Sequence, residues 1–397
     1  MRVSTSMIYD KGIGSIQQIW SDLLHTQQEV ETGRRVLVPA DDPVAASRAL
    51  DVNKSRTINT QYKTNIGTST DNLRLLENKL ASMGEILQYV RQGAVGAGNG
   101  ILEQEQLDFF VTDMRGQFDA MLALSNTQDV TGNYLFSGYK ANVQPFQGAY
   151  GNVHYEGDQG TRTIQVSSSR HMPVSLPGSD LFDNTRTMEG AISTFAGKSN
   201  SGGASVAVSF NPNPPSEANT GHRYEVSFNG ATYDVSEYVP GNPTPVTVAS
   251  GLSGPTLSFN GIDLNVSGTP TTGDSFEVFV ASKNFFDNFA LFIDTLEKPG
   301  SSGVSSGVSF ALNTIDNTLD TALRIRAQIG SELVELEQLD SINADMDIQY
   351  AGTLSRLLDT DYAEAYSRLT RQQTSLEAAQ LAFMRVSGLS LFNYLQA

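Results

Sequence analysis

The sequence predicts an α+β fold: long helices at the two termini form an antiparallel helical bundle or coiled coil, and a β-rich outer domain is inserted between them. Three observations carry this. Prolines are segregated, with two in residues 1–128 (Pro39 and Pro43), none in 300–397, and eight of the chain's fourteen between Pro212 and Pro270. Since proline removes a helical hydrogen bond and clashes with the preceding turn, the flanks permit long helices and the middle does not. In the flanks, apolar residues recur at steps of three and four; in the middle they alternate between turn dipeptides.

The N-terminal flank begins with Ile13, Ile16, Trp20, Leu23, Gln27 and Val30, a coiled-coil stripe broken once by Gln27. Thr32-Gly33 ends it. After a short segment, Arg34–Ala40, Asp42 and Pro43 restart a helix, with an acidic cap and proline at the first helical position. This second helix carries Ala45, Ala49, Val52, then Ile66 and a dense series from Leu73 through Leu76, Leu80, Met83, Leu87 and Val90 to Ala94. Four glycines in Gly93–Gly100 are expected to close it. A third helix follows on Leu107, Phe110, Met114, Phe118 and Met121.

Between the flanks, Tyr224–Phe228 and Ser275–Val280 read as strands, and Asn229-Gly230 and Asn260-Gly261 as hairpin turns. Val153–Tyr155 and Arg162–Val166 are expected to flank a β-turn. After Phe285–Leu296 and a Gly/Ser turn, the C-terminal flank runs Ile315, Leu319, Ala322, Ile329, Leu333, Leu336. Gly352 is expected to interrupt it. The last helix then carries Leu354, Leu358, Ala365, Leu369, Leu376, Ala379, Phe383 and Val386.

Three bodies are expected: residues 1–42 with 350–397 as terminal interface helices, 43–190 with 281–349 as an α-rich domain with short β-hairpins, and 191–280 as the β-rich outer domain. A striped helix of this length is marginal alone, because its stability comes from burying the stripe. The partner within reach is the equally striped last helix, and a pair so thin still leaves flanks uncovered. Ile13, Ile16, Trp20, Leu23, Val30, Leu358, Leu369, Leu376, Phe383 and Val386 are therefore the expected subunit interface, and Asp42 and Pro43 the helix cap.

Composition excludes several functions. The net charge of −17 opposes nucleic-acid and anionic-membrane binding, which need a basic face. With no cysteine there is no disulfide, thiolate nucleophile or cysteine-ligated metal. The opening MRVSTSMIYDKG lacks the apolar core of a Sec signal, and no run of eighteen apolar residues exists, so no membrane insertion is expected. The final run Leu389, Leu391, Phe392, Tyr394, Leu395 is too short to span a bilayer and suits packing or docking. His25, His154, His171 and His222 are scattered without metal-ligand spacing. Asp41-Asp42 is better explained by capping than by a metal, and Tyr155–Gly160 lacks the ligand spacing of a calcium loop. No catalytic, cofactor or metal residues can be named, and the chain is expected not to be an enzyme.

Particular residues then resemble a family. Arg2–Tyr9 (RVSTSMIY), Glu31–Ala46 (ETGRRVLVPADDPVAA) and Ser355–Ala365 (SRLLDTDYAEA) are similar to the terminal patterns of the flagellin superfamily. Tyr134–Lys140 (YLFSGYK), Pro145-Phe146 and Tyr155–Asp158 (YEGD), with the Met-Arg-Val opening and a proline straight after Asp41-Asp42, resemble its hook–filament junction members more than filament flagellin. The region from about 190 to 280 carries no matching motif. The resemblance implies a structural, extracellular subunit of the bacterial flagellum, secreted uncleaved by flagellar type III export and serving motility. Its first and last helices would pair in the wall of a tube. The implied partners are a homo-oligomeric ring, another hook-associated protein on the hook side, flagellin on the filament side, and an export chaperone at the C-terminal helix. The alternatives are filament flagellin itself, and an enzyme or lectin in the β-rich insert.

Overall fold

The computed structural model describes residues 5–395 except 100–102, 184–190, 210–214, 217–218 and 243, with side chains described from Met7 to Val386 apart from Ile8. The chain divides into two compact units, one of Met1–Thr64 with Asp340–Ala397 and one of Asn65–Leu339. The architecture is the α+β one that the proline distribution predicts.

Among the described residues, the regular elements of the first unit are all helices. It holds α1 (Thr5–Thr32), the start of α2 (Pro43–Gly98), the end of α6 (Val304–Leu358) and α7 (Tyr362–Leu395). α1 stops at Gly33, whose φ of +70° is the left-handed conformation that glycine adopts freely after a helix. Asp42 Oδ1 accepts the Ala45 N–H at 2.9 Å, capping α2 ahead of Pro43. Asp361 does the same for α7, accepting from Ala363 at 2.9 Å. α6 runs through Gly352 without a break, contrary to the expectation above; the interruption falls at Asp359–Asp361. One glycine costs a helix only about 1 kcal/mol, too little to end one of 55 residues.

The second unit contains the main core. The α2 series Leu73, Leu76, Leu80, Met83, Leu87, Val90 and Ala94 is fully buried, as its periodicity predicts, against α3 (Gln104–Ser125), α5 (Phe285–Glu297) and the first half of α6. α2 ends at Gly98, within the Gly93–Gly100 stretch expected to close it. A Cβ on Gly93 would lie 2.4 Å from the Phe110 ring, and one on Gly98 3.0 Å from Val308. Gly93 and Gly98 also let neighbouring side chains approach the end of the helix.

Two hairpins and a short helix, α4 (Ser179–Phe182), complete the α-rich part. β1 (Phe146–Ala149) pairs with β2 (Asn152–Tyr155), and β3 (Thr163–Gln165) with β4 (His171–Pro173). Val153–Tyr155 and Arg162–Val166 are thus not the two arms of one turn. The loop between them is organised instead by Asp158, which accepts N–H bonds from Tyr139, Lys140 and Gly160.

Strands β5 to β12 all lie between Ile192 and Val280. One antiparallel sheet has the order β5 (Ile192–Ala196), β12 (Ser275–Val280), β7 (His222–Phe228), β8 (Tyr233–Tyr238), β9 (Val246–Leu252); the other runs β10 (Thr256–Phe259), β11 (Ile262–Ser267), β6 (Ser205–Val208). Asn260 and Gly261, both at positive φ, make the two-residue β10–β11 turn. Tyr224, Val226, Val235, Ile262, Leu264, Phe276 and Val278 fill the space between the sheets. All six residues of β12 are buried. Its second face is also covered: Phe279 packs with Leu291 of α5 and Phe310 of α6. A strand covered on both faces reads as a nearly continuous apolar run, as SFEVFV does.

Candidate assembly interface

α1 and α7 lie antiparallel. At one end Tyr9 and Phe383 meet edge-to-face with ring centroids 5.7 Å apart. At the other, Arg368 binds Glu29 at 2.7 Å, and Arg34 forms a β-bridge with Asp359. A Cβ on Gly12 would sit 2.9 Å from the Phe383 ring, so this glycine admits the close approach of the two helices.

The predicted interface residues divide into three sets. Leu23 (8% exposed) and Leu376 (6%) are buried within the chain. Ile16, Val30, Leu358, Leu369 and Phe383 are half-buried. Ile13 (45%), Trp20 (51%) and Val386 (47%) remain in solvent, joined by Leu24, Leu381 and Met384, which the sequence reading did not single out. The cause is geometric. An α1 stripe with members at 13, 16, 20, 23 and 30 is wider than the contact line of one neighbouring helix. α7 covers the Ile16–Leu23–Val30 side and leaves the Ile13–Trp20–Leu24 side bare. The side chains of Leu389, Leu391, Phe392, Tyr394 and Leu395 lie outside the described residues, as do Arg2 to Ser4.

Beside this pair the α1–α2 turn is clasped to the α6–α7 turn. Arg35 N–H donates to Leu358 O at 2.7 Å, and Thr360 N–H to Gly33 O at 2.9 Å. Arg35 also reaches Leu357 O at 3.0 Å and Asp42 at 3.1 Å. Asp41 accepts the N–H groups of Val38 (2.8 Å) and Leu37 (2.9 Å) and contacts His25 Nε2 at 3.1 Å. The Val38 N–H, then His25 and Leu37, hold its carboxyl below the ordinary range. For Asp42 the same direction comes from the Ala45 N–H and then Arg35. Both aspartates are committed to turn and cap, and no cluster of three or more potential metal ligands exists among the described residues. Nor, among those residues, is any helix long and apolar enough to cross a membrane.

Sequence reasoning missed the buried polar members: Thr26 and Glu29 of α1 and Thr360 of the turn. The signal was present. Glu29 falls beside Val30 within the apolar stripe, and Arg368 beside Leu369 on the facing helix. A charge on each facing stripe predicts an enclosed ion pair.

Comparison with known proteins bears on the chain as a whole. Residues 3–141 match the family described as bacterial flagellin N-terminal helical region. Residues 195–279 match the D2-like domain of flagellar hook-associated protein 1, so the insert, which bears no motif legible by eye, has a recognisable relative. Over 392 residues, spanning 99% of each chain, this chain is 26% identical to flagellar hook-associated protein 3 of Salmonella typhimurium and 27% identical to that of Escherichia coli. The crystal structure of the flagellar junction protein FlgL from Legionella pneumophila superposes with a TM-score of 0.50 at 25% identity, covering 79% of this chain and 100% of that one.

Proposed function

We infer that this chain belongs with the flagellin-like hook-associated proteins of the third kind and is a structural subunit of the bacterial flagellum at the junction of hook and filament. Its homologues are structural flagellar proteins, and it is not an enzyme. The observation that carries this is homology along 99% of the chain, joined to a flagellin-type N-terminal helical region.

The physical basis of assembly is the uncovered half of the α1–α7 pair. In our reading Ile13, Trp20 and Val386 contact a neighbouring copy directly. Ile16, Leu23, Val30, Leu358, Leu369, Leu376 and Phe383 build the pair that presents them. A contact between two different faces of one subunit repeats head to tail and closes into a ring when the rotation allows. Residues 1–42 with 350–397 would form the interface body, 43–190 with 281–349 the α-rich body, and 191–280 the outward domain. A hook-associated protein on one side, flagellin on the other, a chaperone on α7 before assembly and uncleaved type III export complete the proposal.

Immuno-electron microscopy of isolated flagella tests it. A single labelled site at the cell-proximal end of the filament is expected, together with hooks lacking filaments when the gene is deleted. Labelling along the whole filament would make the chain a flagellin.

A further inference from the structure

We propose that Asn229 is a site of spontaneous deamidation, where the folded β7–β8 turn converts its own side-chain amide to a carboxylate with water as the co-reactant. The inference concerns the chain by itself and does not depend on the assembly reading.

The sequence holds three Asn-Gly pairs, at 99–100, 229–230 and 260–261. Asparagine before glycine is the pair in which a backbone nitrogen reaches the side-chain amide most easily, because no Cβ shields the following N–H. Gly100 lies outside the described residues. The other two pairs each turn a hairpin of the insert, and the fold gives their amides different surroundings.

At the β7–β8 turn Asn229, Gly230 and Ala231 are exposed. Asn229 Oδ1 accepts the Thr232 N–H at 2.9 Å, the Ala231 N–H at 3.2 Å and the Thr232 hydroxyl at 3.3 Å. Its Nδ2 donates to Thr232 Oγ1 at 3.0 Å and to Asp234 Oδ2 at 3.2 Å. Among the described residues the Gly230 N–H meets no backbone acceptor. Gly230 stands at φ +100°, and a Cβ there would lie 2.6 Å from Thr272 Oγ1, so the fold itself requires glycine after Asn229. Asn260 is different. It is half-buried, its Nδ2 points to the Tyr224 hydroxyl and to Glu237 Oε1, each at 3.4 Å, and no donor among the described residues reaches its Oδ1.

The reaction is a ring closure. Hydroxide takes the Gly230 amide proton, the nitrogen bonds to Asn229 Cγ, and the carbonyl π pair moves onto Oδ1. Negative charge thus grows on the one atom that three donors already face, where fixed dipoles lower a barrier most. The Cγ–Nδ2 bond then breaks. Nδ2 takes a proton from water, relayed by the adjoining Thr232 hydroxyl, and leaves as ammonia, and a five-membered succinimide remains. Water adds to either ring carbonyl and opens it to an aspartyl or isoaspartyl residue at position 229. One water enters, one ammonia leaves, and nothing is oxidised or reduced. The new carboxylate faces Asp234 where the amide donated to it, so a hydrogen bond gives way to like-charge repulsion. At Asn260 the engaged atom is the leaving nitrogen, which favours keeping the amide.

Peptide mapping by mass spectrometry tests this on the full-length wild-type protein kept in mildly alkaline buffer, folded and in concentrated urea. Electron-transfer fragmentation tells aspartyl from isoaspartyl products. In the folded protein Asn229 is expected to convert about tenfold or more faster than Asn260. In urea the two rates should converge, since each is then the same dipeptide in an unstructured chain. Thr232→Val, which removes one donor to Oδ1 and the proton relay, should slow Asn229 severalfold and leave Asn260 unchanged. Should that variant fail to fold, the wild-type comparison decides alone. Equal rates in the folded protein, faster conversion at Asn260, a difference that persists in urea, or a folded Thr232→Val protein that converts Asn229 as fast as wild type would overturn the proposal.

Discussion

Arg223 of β7 and Glu277 of β12 face each other diagonally across neighbouring strands, Nη1 to Oε1 3.0 Å, with side chains 5% and 0% exposed. Ser302, just before α6, and Ser306, in its first turn, donate to the other carboxylate oxygen. Arg223 also lies over the Tyr238 ring, 4.3 Å from its centroid. Burial pushes the Glu277 carboxyl up, and Arg223 opposes the shift. The cluster ties the insert to the helical core of its own unit, at β12, both of whose faces are covered.

Removing one partner leaves the other charge enclosed. Glu277→Ala is expected to destabilise the chain by roughly 3–5 kcal/mol, whereas the joint change Arg223→Met with Glu277→Leu should cost far less. Urea denaturation of the two variants beside wild type measures this. Equal losses in the single and joint variants would show that the serines and Tyr238, not the ion pair, hold the joint.

Asp287, in the first turn of α5, supplies the pH dependence. Burial raises its carboxyl to about 6, against which Ser282 and His222 act. A carboxyl whose folded value lies above its unfolded value of 3.8 favours folding when protonated. Its contribution is most favourable below pH 4, declines through the window from about 4 to 6, and is a constant penalty above. Asp287→Asn should therefore stabilise the protein by about 1–3 kcal/mol at pH 7–8 and by almost nothing at pH 4. Denaturation at pH 4, 6 and 8 would show a difference that grows with pH; a flat difference would refute the assignment.

The α2 core series and the Asn-Gly hairpins were legible because each rests on local periodicity or turn chemistry. One predicted helix break, at Gly352, was misplaced because a single glycine was read for its backbone freedom alone; Gly93, near the true end of α2, serves also for the space it leaves to Phe110. Strand partners for Val153–Tyr155 were not legible, since β1 is short and meets β2 through the Tyr150-Gly151 turn, with Gly151 at positive φ. On α1, periodicity located the stripe but not how much of it α7 covers. Glu29 shows where pattern reading stops, because a charge in a stripe looks like a flaw until its partner is known.

The glycine lesson can be tested within a single helix. A Cβ at Gly96 meets nothing within 4 Å, and one at Gly93 meets Phe110. Gly96→Ala should stabilise by about 0.5–1 kcal/mol through lower unfolded-state entropy and better helix propensity. Gly93→Ala should destabilise by about 1–2 kcal/mol as the Phe110 ring is displaced. Thermal denaturation gives the sign of each. Matching signs would mean that the α2–α3 contact yields more easily than its geometry implies.

The two halves of the α1 stripe make opposite demands on stability and assembly. Leu23 is enclosed against α7, so Leu23→Ala removes buried contacts and should lower the stability of the free subunit by about 2 kcal/mol. Trp20 is half in solvent in the single chain, so Trp20→Ala should change that stability by less than about 0.5 kcal/mol. If the Trp20 side is where a neighbouring copy docks, an aromatic anchor lost there should raise the concentration needed for assembly about tenfold or more. Sedimentation of the purified subunit with and without assembly partners, set beside its denaturation curve, separates the two effects. A Trp20→Ala protein that assembles like wild type would remove the uncovered stripe as the docking face, while a large loss of monomer stability would mean that Trp20 is packed within its own chain.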